Sequence, residues 1–172
     1  MKKNNALDRS YIRPGQDAVG WGQDFASTQG PFISPDMFRE FALPAICARV
    51  RNIHENYRLP VMKHACGNNT KLLDMFVEAG YDAYQSIQKS AGMDLAWIKE
   101  KYGGHFTPWG GIPVEYLVSG TPDDIRREVR HAMDVYKLGG RYIFGSPHSI
   151  AVGTRYDNFM TMVDEFNKGR TY

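Results

Sequence analysis

The sequence predicts an α/β protein built around a parallel β-sheet. Two observations carry the prediction: five short strand-like stretches alternate with five segments of helical periodicity, and glycine or proline breaks fall at the joints between them. A third concerns size. At 172 residues, 42% of them apolar and 13% aromatic, the chain can bury one substantial core, which makes one folded domain the expectation and argues against intrinsic disorder.

Taken in order, residues 1–16 read as a polar tail or a helix remnant, in which Ala6, Leu7, Tyr11 and Ile12 fall on one helix face, and Pro14-Gly15 marks a turn. Regular pattern begins at residue 17. Asp17 to Gly22 is a short strand; Ser34 is an N-cap with Pro35 at the first helical position, where a missing N–H costs nothing. Apolar residues at Phe38, Phe41, Ala42, Ala45, Ile46, Val50 and Ile53 then give one buried helical face, kinked at Pro44. Leu59 to Met62 is the second strand, and a helix through Leu72, Leu73 and Phe76 stops at Gly80. Tyr81 to Ile87 is the third strand, Asp94 to Tyr102 a helix ended by Gly103-Gly104, and Phe106 to Trp109 the fourth strand. Thr121-Pro122-Asp123-Asp124 caps a long helix with a stripe of Ile125, Val129, Ala132, Met133 and Tyr136, closed by Gly139-Gly140. Arg141 to Gly145 is the fifth strand and Asn158 to Phe166 the last helix.

Strand and helix in alternation imply right-handed βαβ crossovers. A closed (β/α)₈ barrel takes eight units and about 250 residues, more than this chain holds. An open doubly wound sheet fits the same alternation, but no glycine-rich phosphate loop follows the first strand, so nucleotide binding has no support.

Charge narrows the function classes. Lys plus Arg number 21 against 19 Asp plus Glu, with no basic arm or acidic tail, so no nucleic acid or anionic membrane surface is expected as partner. The longest apolar stretch, Phe41 to Ala48, contains Pro44 and is far short of the roughly 20 residues that span a bilayer. A polar start without a signal-like apolar segment, together with two cysteines, points to a reducing cytoplasm.

In parallel α/β folds the loops after the strands converge on one face and carry the site. Here those strand ends read Gly22-Gln23-Asp24, Lys63-His64-Ala65-Cys66-Gly67, Gln85-Ser86, Trp109-Gly110-Gly111 and Gly145-Ser146-Pro147-His148-Ser149. Imidazole and thiolate both suit a borderline-soft ion, so His64 and Cys66, side by side where the chain leaves the pleat, read as a zinc pair. His148, at the end of the last strand, supplies the third ligand and leaves one position open, as in catalytic zinc sites. Taken alone, a His-x-Cys more often marks a small buried thiol than a ligand pair. Asp24 either binds substrate or acts as a base, or else caps a neighbouring loop; Trp109 is either a substrate platform or core. Cys47, His54, His105 and His131 read as core, packing or surface residues.

At these strand ends the sequence resembles the uroporphyrinogen decarboxylase superfamily, including its cobalamin-dependent, zinc-containing methyltransferases. The resemblance rests on Gly22-Gln23-Asp24-Phe25, Ser34-Pro35-Asp36-Met37-Phe38 with Pro44, His64-Ala65-Cys66-Gly67, Gly80-Tyr81-Asp82-Ala83, Trp109-Gly110-Gly111-Ile112, Gly120-Thr121-Pro122, Gly139-Gly140, His148 and Asn158, and covers residues 17–166 in family order. It implies a partial (β/α)₈ TIM barrel in residues 17–172, about five βα units corresponding to strands four to eight. The methyltransferase branch carries His-x-Cys at the place of His64 and Cys66 and a further Cys after the last strand; the decarboxylases lack His-x-Cys and carry a His at that late position. This chain has both His64-x-Cys66 and His148, which favours the methyltransferase branch with His148 in place of the usual third thiolate.

The resemblance implies zinc-dependent transfer of a methyl group between a corrinoid, carried on a partner protein, and a thiol. Gln23, Asp24, Gln85, Trp109 and Ser146 are then the substrate-binding candidates, with Gln88 a second choice beside Gln85. Two other readings go with the same family: a truncated, non-catalytic fragment serving as an interaction module, and a tetrapyrrole (uroporphyrinogen) decarboxylase. The resemblance also implies a separate chain as a source of the N-terminal half. Five parallel strands leave two unpaired edges, and the inward side chains Val19, Met62, Tyr84, Phe106 and Ile143 lose cover on the open side, so a homodimer is the expected assembly.

Overall fold

The computed structural model describes residues 8–171. They fall into two compact units, one ending at Tyr84 and one beginning at Gln85. The strands are β1 (Val19–Gly22), β2 (Ala26–Ser27), β3 (Gly30–Pro31), β4 (Val61–His64), β5 (Ala83–Gln85), β6 (Thr107–Gly111) and β7 (Ile143–Gly145). Five of them form one sheet in the order β1-β4-β5-β6-β7, while β2 and β3 make a small antiparallel hairpin that the sequence pattern did not reveal. β1 pairs with β4, and β6 with β7, in parallel. Successive strands divided by helices, taken in sequence order, are the arrangement of consecutive units of a (β/α)₈ barrel. The strands begin and end up to a few residues away from their expected limits; β4, for example, runs on to His64.

Of the helix expected near the N-terminus, Ala6 and Leu7 lie outside the described residues, whereas residues 8–11 are helical. The buried Asp8 carboxylate takes hydrogen bonds from Arg49 at 2.6 and 3.3 Å. Ser34 caps as expected, its Oγ accepting from the Met37 N–H at 3.2 Å. The long kinked helix expected here is instead a short helical turn (Pro35–Met37), a wide turn (Phe38–Ala42) and helix α1 (Leu43–Tyr57). Pro44 is the reason. It has no N–H and its ring crowds the preceding turn, so the backbone widens ahead of it, the Leu43 N–H reaches the Phe38 carbonyl, and Pro44 falls in the first turn of a new helix. Helix α2 (Leu73–Ala79) ends at Gly80, which takes the left-handed conformation (φ 85°) expected of it. Asp82 ties these pieces together, accepting from the Val61 N–H at 2.7 Å and meeting His54 at 2.7 Å, so His54 serves packing as expected. The core is aromatic: Phe38 lies 4.9 Å from Phe25 and 6.2 Å from Phe76, and Phe76 lies 5.5 Å from Tyr84, between ring centroids.

The second unit contains α3 (Leu95–Tyr102), α4 (Val114–Ser119), α5 (Pro122–His131) and α6 (Tyr156–Gly169). Asp94 caps α3 by accepting from the Ala96 and Trp97 N–H groups. The Thr121–Asp124 capping box opens α5 as the sequence indicates, and α5 continues into a wide turn over Ala132–Tyr136. Helix α4 was not expected; it is short and begins directly after Pro113 without a side-chain cap. Ile112, Leu117, Ile125, Val129, Ala132, Met133 and Met162 form the core of this unit. Asn158, buried at the base of α6, donates to the carbonyls of Tyr116, Leu117 and Gly120 and so satisfies the end of α4.

Two of the side chains expected to lie uncovered are fully buried. Tyr84 packs on Phe76, and Phe106 stacks on Tyr102 with centroids 5.7 Å apart.

Candidate metal centre

Strand β4 alternates its side chains across the sheet, burying Val61 and Lys63 on one face and leaving Met62 and His64 half-buried on the other. The chain then leaves the pleat and turns at Gly67, whose φ is +83°. This turn is held from several sides. The Cys66 N–H donates to the Asp24 carboxylate at 2.8 Å, and the Asn68 N–H donates to the Ser27 carbonyl at 2.8 Å. From inside, the Asn69 amide donates to the carbonyls of Ala65 (3.1 Å), Cys66 (2.9 Å) and Gly67 (3.2 Å), and the Tyr84 hydroxyl donates to the Ala65 carbonyl at 3.1 Å. Asn69 and Tyr84 are both fully buried and meet at 3.3 Å. Burial pushes the Tyr84 hydroxyl above its ordinary pKa, so it remains a donor.

Within this turn the Cys66 Sγ and His64 Nε2 stand 3.2 Å apart. Two ligands on a tetrahedral zinc, one sulfur at about 2.3 Å and one nitrogen at about 2.0 Å, lie roughly 3.5 Å from each other. The pair is thus a few tenths of an ångström from an edge of a zinc tetrahedron, and its donor types suit that ion.

Lys63, next in the chain, was missed in the sequence. It is fully buried, its ammonium donates to the Gln23 carbonyl at 2.7 Å, and it lies 4.5 Å from the centroid of the Phe25 ring. Loss of water lowers its pKa to about 8, against the opposing pull of Asp24. A lysine in a strand gives no local sign that its head group will be enclosed. Asn69 was missed too, although it lies only three residues beyond Cys66 in the sequence.

The substrate candidates are placed as follows. Asp24 accepts from the Cys66 N–H through one carboxylate oxygen. Gln23 contributes its main chain, accepting from Lys63 and donating its N–H to the His64 carbonyl at 3.1 Å. In the second unit Gln85 donates from Nε2 to the Ser146 carbonyl at 3.4 Å, and the buried Ser146 accepts at Oγ from the His148 N–H at 3.3 Å. Trp109 is half-buried on β6, where Gly145 makes room for it: a Cβ on Gly145 would stand 2.7 Å from the indole nitrogen. His131 is exposed and meets the Tyr136 hydroxyl at 3.2 Å. The second unit also holds a cavity of about 600 Å³ whose lining includes Met93, Leu95, Ile112, Glu128 and His131; no sequence motif marked it.

A family model described as uroporphyrinogen decarboxylase (URO-D) matches residues 9–169. The chain belongs to the uroporphyrinogen decarboxylase family. Among curated members related to it, a methylated-thiol–coenzyme M methyltransferase of Methanosarcina mazei is 25% identical over 138 residues, covering 80% of this chain and 34% of that protein. A uroporphyrinogen decarboxylase of Xanthomonas euvesicatoria is 28% identical over 133 residues, covering 76% and 36%. A solved structure of a methyltransferase from Methanosarcina mazei aligns with a TM-score of 0.74 at 21% identity, over 97% of this chain and 45% of that one. This likeness supports the barrel fold. Against these relatives, this uroporphyrinogen decarboxylase-family chain spans between about a third and just under half of their length. Among its described residues no helix is long and apolar enough to cross a membrane.

Proposed function

We propose that this chain binds zinc through His64, Cys66 and His148 and takes part in methyl transfer between a corrinoid and a thiol. The observation that carries the reading is the His64–Cys66 pair, 3.2 Å apart on a turn whose N–H and carbonyl groups are held by other side chains. His148 is assigned from its place three residues beyond the end of β7, and the methyltransferase relative supports the branch.

In this reading Cys66 and His64 serve as thiolate and neutral imidazole donors, and their directions are set before any ligand arrives. Asp24 engages the Cys66 N–H. Bound zinc would supply a Lewis acid that lowers the pKa of an incoming thiol and keeps it as thiolate. Asp24, Gln23, Gln85, Trp109 and Ser146 are assigned to substrate contact. A corrinoid protein is the proposed methyl donor, and a homodimer or a separate chain bearing further barrel units is the proposed partner; a reducing cytoplasm suits the thiolate ligand.

Metal analysis tests the reading. Purified protein is expected to hold about one zinc per chain, lost in His64→Ala and Cys66→Ser and weakened in His148→Ala. Protein that stays metal-free in zinc-supplemented buffer favours the non-catalytic fragment instead. The decarboxylase relative, together with a His at the late position, supports a second reading as a tetrapyrrole decarboxylase. It predicts a change in porphyrin absorbance or fluorescence on titration, lost in His148→Ala.

A further inference from the structure

We propose that Asn69 is a positioning residue of this metal centre: its buried amide sets the direction in which Cys66 presents its sulfur. This rests on the zinc reading above. Asn69 lies two residues after the turn at Gly67, yet its Nδ2 is shared among the carbonyls of Ala65, Cys66 and Gly67, which are the three peptide units that carry the chain past Cys66. A single planar group on three successive carbonyls fixes the rotation of those peptides, and with it the Cα–Cβ vector of Cys66. The arrangement is one-sided. Nδ2 meets the three carbonyls and the Tyr84 hydroxyl, while the buried Oδ1 has no hydrogen-bond partner among the described residues. A side chain chosen to satisfy itself would be placed to use both ends; this one is placed to donate toward the turn.

The chemistry therefore demands an amide. A carboxylate of the same size would set negative oxygen against three carbonyl oxygens, leaving the turn without its donor. Groups that orient metal ligands without touching the metal commonly change affinity about 10- to 100-fold when removed.

The molecule supplies its own control. Asn158 is also buried, also donates from Nδ2 to three carbonyls and also leaves Oδ1 without a hydrogen-bond partner among the described residues, but its carbonyls belong to the end of α4 and to Gly120. A purely structural asparagine should behave like Asn158.

The experiment replaces zinc with cobalt(II) and compares wild type with Asn69→Asp, Asn69→Ser, Tyr84→Phe, Asn158→Asp and Cys66→Ser. Affinity comes from chelator competition, the sulfur-to-cobalt charge-transfer band per bound ion reports the Cys66 bond, and circular dichroism with thermal melts identifies the folded variants. Both Asn69 variants are expected to bind about 10- to 100-fold more weakly, with a diminished band. Asn158→Asp is expected to melt earlier while keeping wild-type affinity and band. Should neither Asn69 variant fold, Tyr84→Phe decides, because it deletes the hydroxyl that accepts from the Asn69 amide and shares the Ala65 carbonyl with it; about tenfold weaker binding supports the assignment. Wild-type affinity and band in the folded Asn69 variants, or in Tyr84→Phe when it decides, overturn the role of Asn69 and leave the zinc reading standing. A wild type with no band, or a Cys66→Ser protein that retains it, overturns both.

Discussion

Gly67 lies against Ala26 so closely that a Cβ on Gly67 would collide with the Ala26 carbonyl, and with that of Ser27 beyond it. The contact presses the Gly67 turn onto the β2–β3 hairpin. Because the φ of Gly67 is also +83°, a side chain there is opposed both by its own backbone and by its neighbour. Gly67→Ala is expected to destabilise the first unit by more than about 2 kcal/mol and to lower zinc affinity with it. Gly104→Ala, where the added carbon meets open space, is the control. Urea unfolding of the two variants measures the difference.

The capping box of α5 gives a smaller, local prediction. Thr121 Oγ1 accepts from the Asp124 N–H at 3.2 Å, and the Asp124 carboxylate accepts from the Thr121 N–H at 2.9 Å. The Thr121 N–H first, then the Thr121 hydroxyl, which donates to the carboxylate at 2.7 Å, and Arg127 at 2.6 Å hold the Asp124 carboxyl well below the usual carboxylate range. Thr121→Ala is expected to cost about 1 kcal/mol and to lower the melting temperature by about 2–4 °C, without effect on metal binding. Differential scanning calorimetry reads the shift.

Acid should loosen the second unit through Glu165. This buried carboxylate takes hydrogen bonds from Arg130 at 2.6 Å and Lys168 at 3.0 Å, and those two donors, Arg130 first, lower its pKa. The folded carboxyl therefore gives up its proton more readily than the unfolded one. Its stabilisation is complete above the unfolded value, near about 4.3, and is lost as pH falls through the lower folded value. Glu165→Gln is expected to cost about 1–2 kcal/mol at neutral pH and to flatten the fall in stability between neutral and strongly acid solution. Urea titrations across that range in wild type and variant test both.

The sheet order leaves β1 and β7 as its outer strands, and sheet edges with unpaired backbone groups recruit other strands. Light scattering behind a sizing column is expected to give a mass near twice the 19.5 kDa of one chain. A single-chain mass across a wide concentration range, with a cooperative melt, counts against the dimer.

By itself the sequence determined the α/β alternation, the caps at Ser34 and Thr121, the stop at Gly80 and the His64–Cys66 pair, because each depends on residues within a few positions of one another. Helix α4 and the β2–β3 hairpin escaped, being too short for a period to register. The wide turn before Pro44 escaped because proline announces a break without saying how the backbone absorbs it. Only the tertiary structure decided that Asp24 accepts from the Cys66 N–H, that Gly67 meets Ala26, that Lys63 is enclosed beside Phe25 and that the Tyr84 hydroxyl reaches Ala65. Each joins residues some 19 to 42 positions apart, and their meeting follows from strand pairing and packing, as where β1 lies beside β4 with Gly22 opposite His64. Hydrophobic period marks which face of a strand is buried; it does not record which other strand lies alongside or at what register.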